Sequence, residues 1–94
     1  MPATIEVEAA TSGEYNVVVK EAGGETRHRV RVDPGYAQKL TGGSASTLEL
    51  LRRSFEFLLE REPKESILRS FDLPLIGRYF GEYERVIADS FSSR

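Results

Sequence analysis

The chain contains no cysteine and only one histidine among its 94 residues. Without cysteine it can form no disulfide, carry no thiol nucleophile and hold no metal through thiolates, which is typical of a protein from a reducing compartment. A single imidazole does not make a metal site, and no serine lies in the sequence context of a nucleophile elbow or a catalytic triad. We therefore expect no metal, no cofactor and no enzymatic activity.

Long apolar runs are also missing. No segment approaches the roughly 18 consecutive apolar residues that cross a bilayer, and the first residues lack a basic region followed by an apolar one. These absences predict a cytoplasmic protein with no membrane partner. Charged residues make up 30% of the chain, yet the formal net charge is only -2. Any attraction to nucleic acid must therefore be local.

The first third of the chain alternates apolar and polar residues, which is the period of half-buried strands. Turn residues occur at positions 11–13 and 22–25, and the second turn is predicted to close at Gly23 and Gly24. Closing the first turn pairs Val7 with Val17, and closing the second pairs Val17 with Val30 and Val19 with His28, so that one face stays apolar. The sequence therefore predicts a three-stranded antiparallel meander over about residues 3–32. His28 is interpreted as a structural histidine on its buried face.

Helical spacing begins after this meander. Asp33 and Pro34 predict an N-cap and a first helical position for a short helix that residues 41–44 end. The main amphipathic helix starts at Thr47 and is predicted to stop before Pro63, because proline disfavours helical geometry in the residue preceding it. Its expected buried stripe comprises Leu48, Leu51, Phe55, Leu58 and Leu59, and Leu50 and Phe57 are expected to widen the buried face.

Two further helices are predicted towards the C-terminus. A short one spans about residues 63–71 and buries Ile67, Leu68 and Phe71. Another spans about residues 75–90 and is interrupted near Gly81, since glycine weakens a helix. The chain is thus expected to form a single α+β domain over residues 1–94, with three to four helices packed on one face of the antiparallel meander.

One candidate surface lies on the outward face of the meander. Its cations could bind the phosphates of a nucleic acid, and a two-stranded ribbon can enter the major groove, where arginine reads guanine. The alternative is a solvated face of mixed charge, because acidic residues of the first strand lie on the same side. The cations of this surface, here called the arginine face, are Lys20, Arg27, Arg29 and Arg31.

The order of strand, short helix, glycine turn and long helix over residues 27–60, RHRVRVDPGYAQKLTGGSASTLELLRRSFEFLLE, resembles the ribbon-helix-helix DNA-binding proteins. The resemblance implies an obligate dimer in which Arg27, Arg29 and Arg31 face the DNA groove. In that family the ribbon pairs between subunits. Here the strand already has a local partner in residues 15–21, and the first helix is short.

The second candidate surface is aromatic and consists of Tyr79, Phe80 and Tyr83. Aromatic side chains with polar groups are enriched at protein interfaces, although at helical spacing they commonly belong to a core. From these residues we favour a non-catalytic interaction or regulatory module that contacts a protein partner or a second copy of itself as a homodimer. A nucleic-acid-binding protein that uses the arginine face is the alternative.

The stretch SFEFLLEREPKESILRSFDLPLIGRYF, residues 54–80, resembles a group of small uncharacterised bacterial proteins. This resemblance implies no activity, cofactor or partner.

Overall fold

The structure is a computed structural model that describes residues 3–21 and 23–91. Within these residues one four-stranded sheet has the strand order β1-β2-β3-β4. The first three strands are antiparallel neighbours, while the fourth runs parallel to the third. The strands are β1 Thr4–Thr11, β2 Glu14–Glu21, β3 Gly24–Arg31 and β4 Ser70–Asp72.

The register of the first hairpin is the one that the sequence predicts, with Val7 opposite Val17. The second hairpin is shifted by two residues, because Glu21 pairs with Gly24, so that the two residues between the strands are 22 and 23 instead of 23 and 24. His28 therefore lies opposite Val17 rather than Val19. A shift of two residues keeps every side chain on its predicted face, so the apolar face is preserved. Ala22, part of the predicted second turn, lies outside the described residues.

The helices that follow have local causes. In α1, Pro34–Thr41, the Asp33 side chain accepts hydrogen bonds from two backbone N–H groups of the first turn, as predicted. Gly42 ends the helix with a φ of 67°, a left-handed conformation that glycine adopts without strain. In α2, Thr47–Leu59, the Ser46 side chain caps the first turn by accepting from the Glu49 N–H. The C-terminal helix is interrupted near Gly81 as predicted, giving α3, Leu75–Tyr79, and α4, Tyr83–Phe91.

The prediction of a helix over residues 63–71 is wrong. The segment contains one 3-10 turn at Lys64–Ser66 and then the strand β4. The long-range hydrogen bonds offered by the open edge of β3 outweigh the local helical spacing, since the Arg69 carbonyl oxygen accepts from the Arg29 N–H at 2.6 Å. The sheet is consequently mixed and four-stranded, and the three-stranded antiparallel prediction is incomplete.

The core lies between one face of the sheet and the helices, which confirms the α+β class. Val17, Val19 and Val30 from the sheet meet Leu51 and Phe55 from α2, and all five side chains are fully buried. The buried stripe of α2 differs from the predicted one, because Leu48 is 40% exposed. Its buried residues are Leu50, Leu51, Ser54, Phe55, Phe57 and Leu58. No helix in the described residues is long and apolar enough to span a bilayer.

Candidate functional site: an apolar groove and a charged sheet face

An open groove of about 370 Å³ lies between the end of α2, the segment leading into β4, and α3. This volume falls in the range of small-ligand and side-chain pockets. Most of the lining is apolar. The residues that line this groove, called the α3 groove below, are Leu58, Glu62, Ser66, Ile67, Leu68, Phe71, Leu75, Ile76, Tyr79 and Phe80.

The lip and the floor of the groove differ in burial. Two of the lining side chains are exposed and form the lip, Leu68 at 46% and Tyr79 at 66%. The floor belongs to the core, because Ile67 and Ile76 are buried. Phe80 is half-buried and packs edge-to-face against Phe57, with ring centroids 5.9 Å apart. The groove thus presents two large exposed apolar side chains above a floor of core residues.

His28 holds the Leu68 side of the groove in place. Its Nδ1 lies 2.8 Å from the Leu68 carbonyl oxygen and its Nε2 lies 2.8 Å from the Thr26 hydroxyl oxygen. Because a carbonyl oxygen only accepts, Nδ1 carries the proton and Nε2 accepts from Thr26. Burial lowers the pKa of His28, partly offset by its hydrogen bond to Leu68 and reinforced by the nearby positive charge of Arg69. The ring is therefore neutral near pH 7 and packs beside Phe55.

The segment is also fixed at its beginning. The Lys64 ammonium group lies 2.8 Å from the Glu65 carboxylate and 3.2 Å from that of Glu21 at the end of β2. These two hydrogen bonds raise the pKa of Lys64, so the cation is retained at neutral pH. Together with His28 they tie the wall of the α3 groove to the sheet at both ends, so that the groove exists before any ligand binds.

The structure separates the three predicted aromatic residues. Tyr79 is on the lip of the groove and Phe80 lines it. Tyr83 is fully buried, and its hydroxyl lies 2.6 Å from that of Ser54, which is also fully buried. Burial raises the pKa of Tyr83, so its hydroxyl stays protonated. Tyr83 therefore joins α4 to α2 inside the core and offers no surface to a partner.

On the outward face of the sheet, each of the four cations of the arginine face lies close to a carboxylate. Arg31 contacts Asp72 of β4 at 2.6 Å, and Arg29 contacts Glu14 at 3.1 Å while also donating to the Asn16 side chain. The other pairs are Lys20 with Glu6 at 3.3 Å and Arg27 with Glu25 at 2.7 Å. Three of these four pairs join neighbouring strands, where opposite charges stabilise a sheet by about 0.2–1 kcal/mol.

β3 is a central strand with hydrogen-bonded neighbours on both sides. On one of these sides β4 pairs only with Arg29, Val30 and Arg31, so an intersubunit ribbon like that of ribbon-helix-helix proteins could not use these three residues without displacing β4. Arg69, just before β4, adds a fifth cation near this face and lines a shallow depression with Arg27 and Arg29. The alternation of residues 15–32 could not indicate this residue, because it is 40 positions from Arg29 in the sequence.

In the part of the chain that the structure describes, no cluster of three or more His, Asp or Glu side chains is arranged to hold a metal ion. Comparison with known proteins gives no family: no family model, no curated protein and no solved structure matches the chain significantly.

The sequence indicates as an interface two of the ten residues that line the α3 groove. The sequence predicts Tyr79 and Phe80 at an interface, whereas it places Leu68 on the buried side of a helix. The signal for Leu68 was the alternation Ser70-Phe71-Asp72, in which only the middle residue is buried. Three residues are too few to distinguish a strand from a helix by period.

Proposed function

We propose that this protein is a non-catalytic binding module that holds a segment of a protein partner in the α3 groove. The observation that carries the proposal is the exposure of Leu68 and Tyr79 on the lip of a preformed apolar groove. Large exposed apolar side chains that line one concave surface are typical of protein-binding sites. Neither side chain is buried enough to add much to the stability of the fold.

The arginine face is the weaker candidate for a binding surface, and its partner would be a nucleic acid. Its four named cations are already paired with carboxylates, which lowers the positive potential that a phosphate backbone would meet. A nucleic acid would have to displace these ion pairs. Arg69 favours the alternative, but it is a single additional charge.

A homodimer formed by pairing two copies of β1 is disfavoured by charge. The two in-phase antiparallel registers with the greatest overlap place Glu6 opposite Glu8, or Glu8 opposite Glu8, and like charges in such positions destabilise a sheet. The Arg52 guanidinium also donates to the Ile5 carbonyl oxygen at 3.0 Å. Self-association, if it occurs, is therefore expected to use the α3 groove rather than this edge.

The proposal is tested by selecting random dodecapeptides displayed on phage against the immobilised protein. Selected peptides are then synthesised with a fluorophore, and their binding is measured by anisotropy. Leu68→Asp should abolish binding because it places a charge on the lip of the groove. Leu48→Asp is the matched control, since Leu48 is also exposed but lies on the first turn of α2 and does not line the groove.

Both variants are expected to stay within about 0.5 kcal/mol of the wild type in free energy of unfolding, as surface substitutions usually do. Equal binding of a selected peptide to Leu68→Asp and Leu48→Asp would show that the groove is not the binding surface. A selection that yields no peptide above background would also contradict the proposal.

A further inference from the structure

Glu62 is the one charged residue among those that line the α3 groove. It follows the C-terminal end of α2, where the helix dipole is negative and disfavours a carboxylate. Its backbone N–H donates to the Leu58 carbonyl oxygen, and this hydrogen bond fixes the backbone of Glu62 beside the groove. Partial burial raises the pKa of the Glu62 carboxyl. Both the dipole and the apolar surroundings therefore oppose the charge that Glu62 carries at neutral pH.

The nearby cations are already engaged by other acids. Arg61 bridges Glu60 at 3.3 Å and Glu82 at 3.1 Å, and its guanidinium also stacks 3.6 Å from the centre of the Phe57 ring. Lys64 is held by Glu21 and Glu65. Among residues 3–21 and 23–91, no lysine or arginine nitrogen lies within 4.0 Å of the Glu62 carboxylate. In the described part of the chain this acid thus has no counter-ion, although it lies at the edge of an apolar surface.

We infer that the occupant of the α3 groove is a peptide segment with a lysine or arginine beside its apolar side chains, and that Glu62 is the residue that receives this cation. The inference rests on the proposed binding function and names the chemistry of the partner. The apolar side chains would cover Leu68 and Tyr79, and in doing so would exclude water from the new ion pair. A charge-assisted hydrogen bond is stronger in such a partly desolvated position than on an open surface. An acidic segment would be repelled by the same carboxylate.

The test compares dodecapeptide selections on the wild type, on Glu62→Lys and on a matched control, Glu56→Lys. Glu56 is exposed on α2 and does not line the groove, so the control changes the net charge equally but leaves the groove intact. Peptides selected on the wild type should combine apolar residues with at least one lysine or arginine. Peptides selected on Glu62→Lys should lose that preference or favour acidic residues.

A synthetic wild-type-selected peptide should bind Glu62→Lys about 10–100-fold more weakly, the loss expected for one hydrogen bond to a charged group. Its affinity for Glu56→Lys should be nearly that of the wild type. Peptides that depend on Leu68 but show no basic preference and bind Glu62→Lys normally would overturn this inference and leave the binding function standing. The absence of any Leu68-dependent peptide would overturn both. A concentration-dependent dimer that Leu68→Asp dissociates would also overturn it, by showing that a second copy fills the groove.

Discussion

The buried hydroxyl pair of Ser54 and Tyr83 offers a quantitative test of how α4 is joined to α2. Both side chains are fully buried, the oxygens are 2.6 Å apart, and in the described residues no buried side-chain nitrogen or oxygen lacks a hydrogen-bond partner. Ser54→Ala leaves the Tyr83 hydroxyl buried and unpaired, which should cost about 1–3 kcal/mol. Tyr83→Phe should cost less, about 0.5–1.5 kcal/mol, because the Ser54 hydroxyl can rotate to donate to the Leu50 carbonyl oxygen one turn earlier.

The double variant, Ser54→Ala with Tyr83→Phe, removes both polar groups and leaves none unpaired. It should therefore be destabilised by only about 0.5 kcal/mol relative to the wild type, well below the sum of the single changes. Urea unfolding followed by circular dichroism gives the four free energies of unfolding of the cycle, provided that their dependence on urea concentration, the m value, is the same for all four proteins. Additivity of the two single changes within about 0.3 kcal/mol would refute the hydrogen bond, since residues in contact should couple.

Three further predictions follow from burial and charge. Leu58→Ala should cost about 2–5 kcal/mol in a urea melt, as buried large-to-small changes do, and a loss well below 1 kcal/mol would contradict the central place of α2. Lowering the pH below about 6.5 should lower the free energy of unfolding of the wild type. The pKa of His28 is lower in the folded protein than in the unfolded chain, so the unfolded chain binds a proton first and the stability present above pH 6.5 is lost as the pH falls towards the folded-state pKa. His28→Gln should reduce this pH dependence, and an unchanged profile would exclude His28 as its source. A fluorescent DNA duplex at low salt should show no salt-dependent binding, whereas binding that Arg29→Glu removes would favour the arginine face.

Much of the sheet was readable from the sequence, because side-chain alternation and turn residues act over short distances. The pairing of Val7 with Val17 depended on a turn whose length was clear. The register of the second hairpin was predicted two residues off because this glycine-rich segment allows a two-residue connection to begin at position 22 or at position 23. The assignment of side chains to the two faces of the sheet was nevertheless correct, because a shift by two residues leaves each side chain on the same face.

β4 could not be predicted in the same way. Its pairing with β3 joins residues about 40 positions apart, and three alternating residues give no reliable period. The 2.6 Å contact between Arg31 and Asp72 shows how a charged pair accompanies this long-range pairing. The error propagated to the site, because Leu68 was assigned to the buried face of a helix that does not form.

The predicted aromatic surface shows a second limit of prediction from the sequence. Tyr79, Phe80 and Tyr83 share the helical spacing of one continuous helix, but the break between α3 and α4 turns them in different directions. Tyr83 enters the core while Tyr79 faces solvent. Periodicity alone cannot place residues on either side of such a break, since it assumes that one axis continues.

The central claim, that the α3 groove is the binding surface, is tested most directly by NMR. A ¹⁵N-labelled sample of the wild type is titrated with a peptide selected on phage, and the changes in amide resonances are mapped onto the fold. We predict that the amides of Ile67, Leu68, Ile76 and Tyr79 shift or broaden, while those of β1 and β2 do not. Changes confined to the outward residues of β2 and β3 around Arg29, or no changes at all, would contradict the claim.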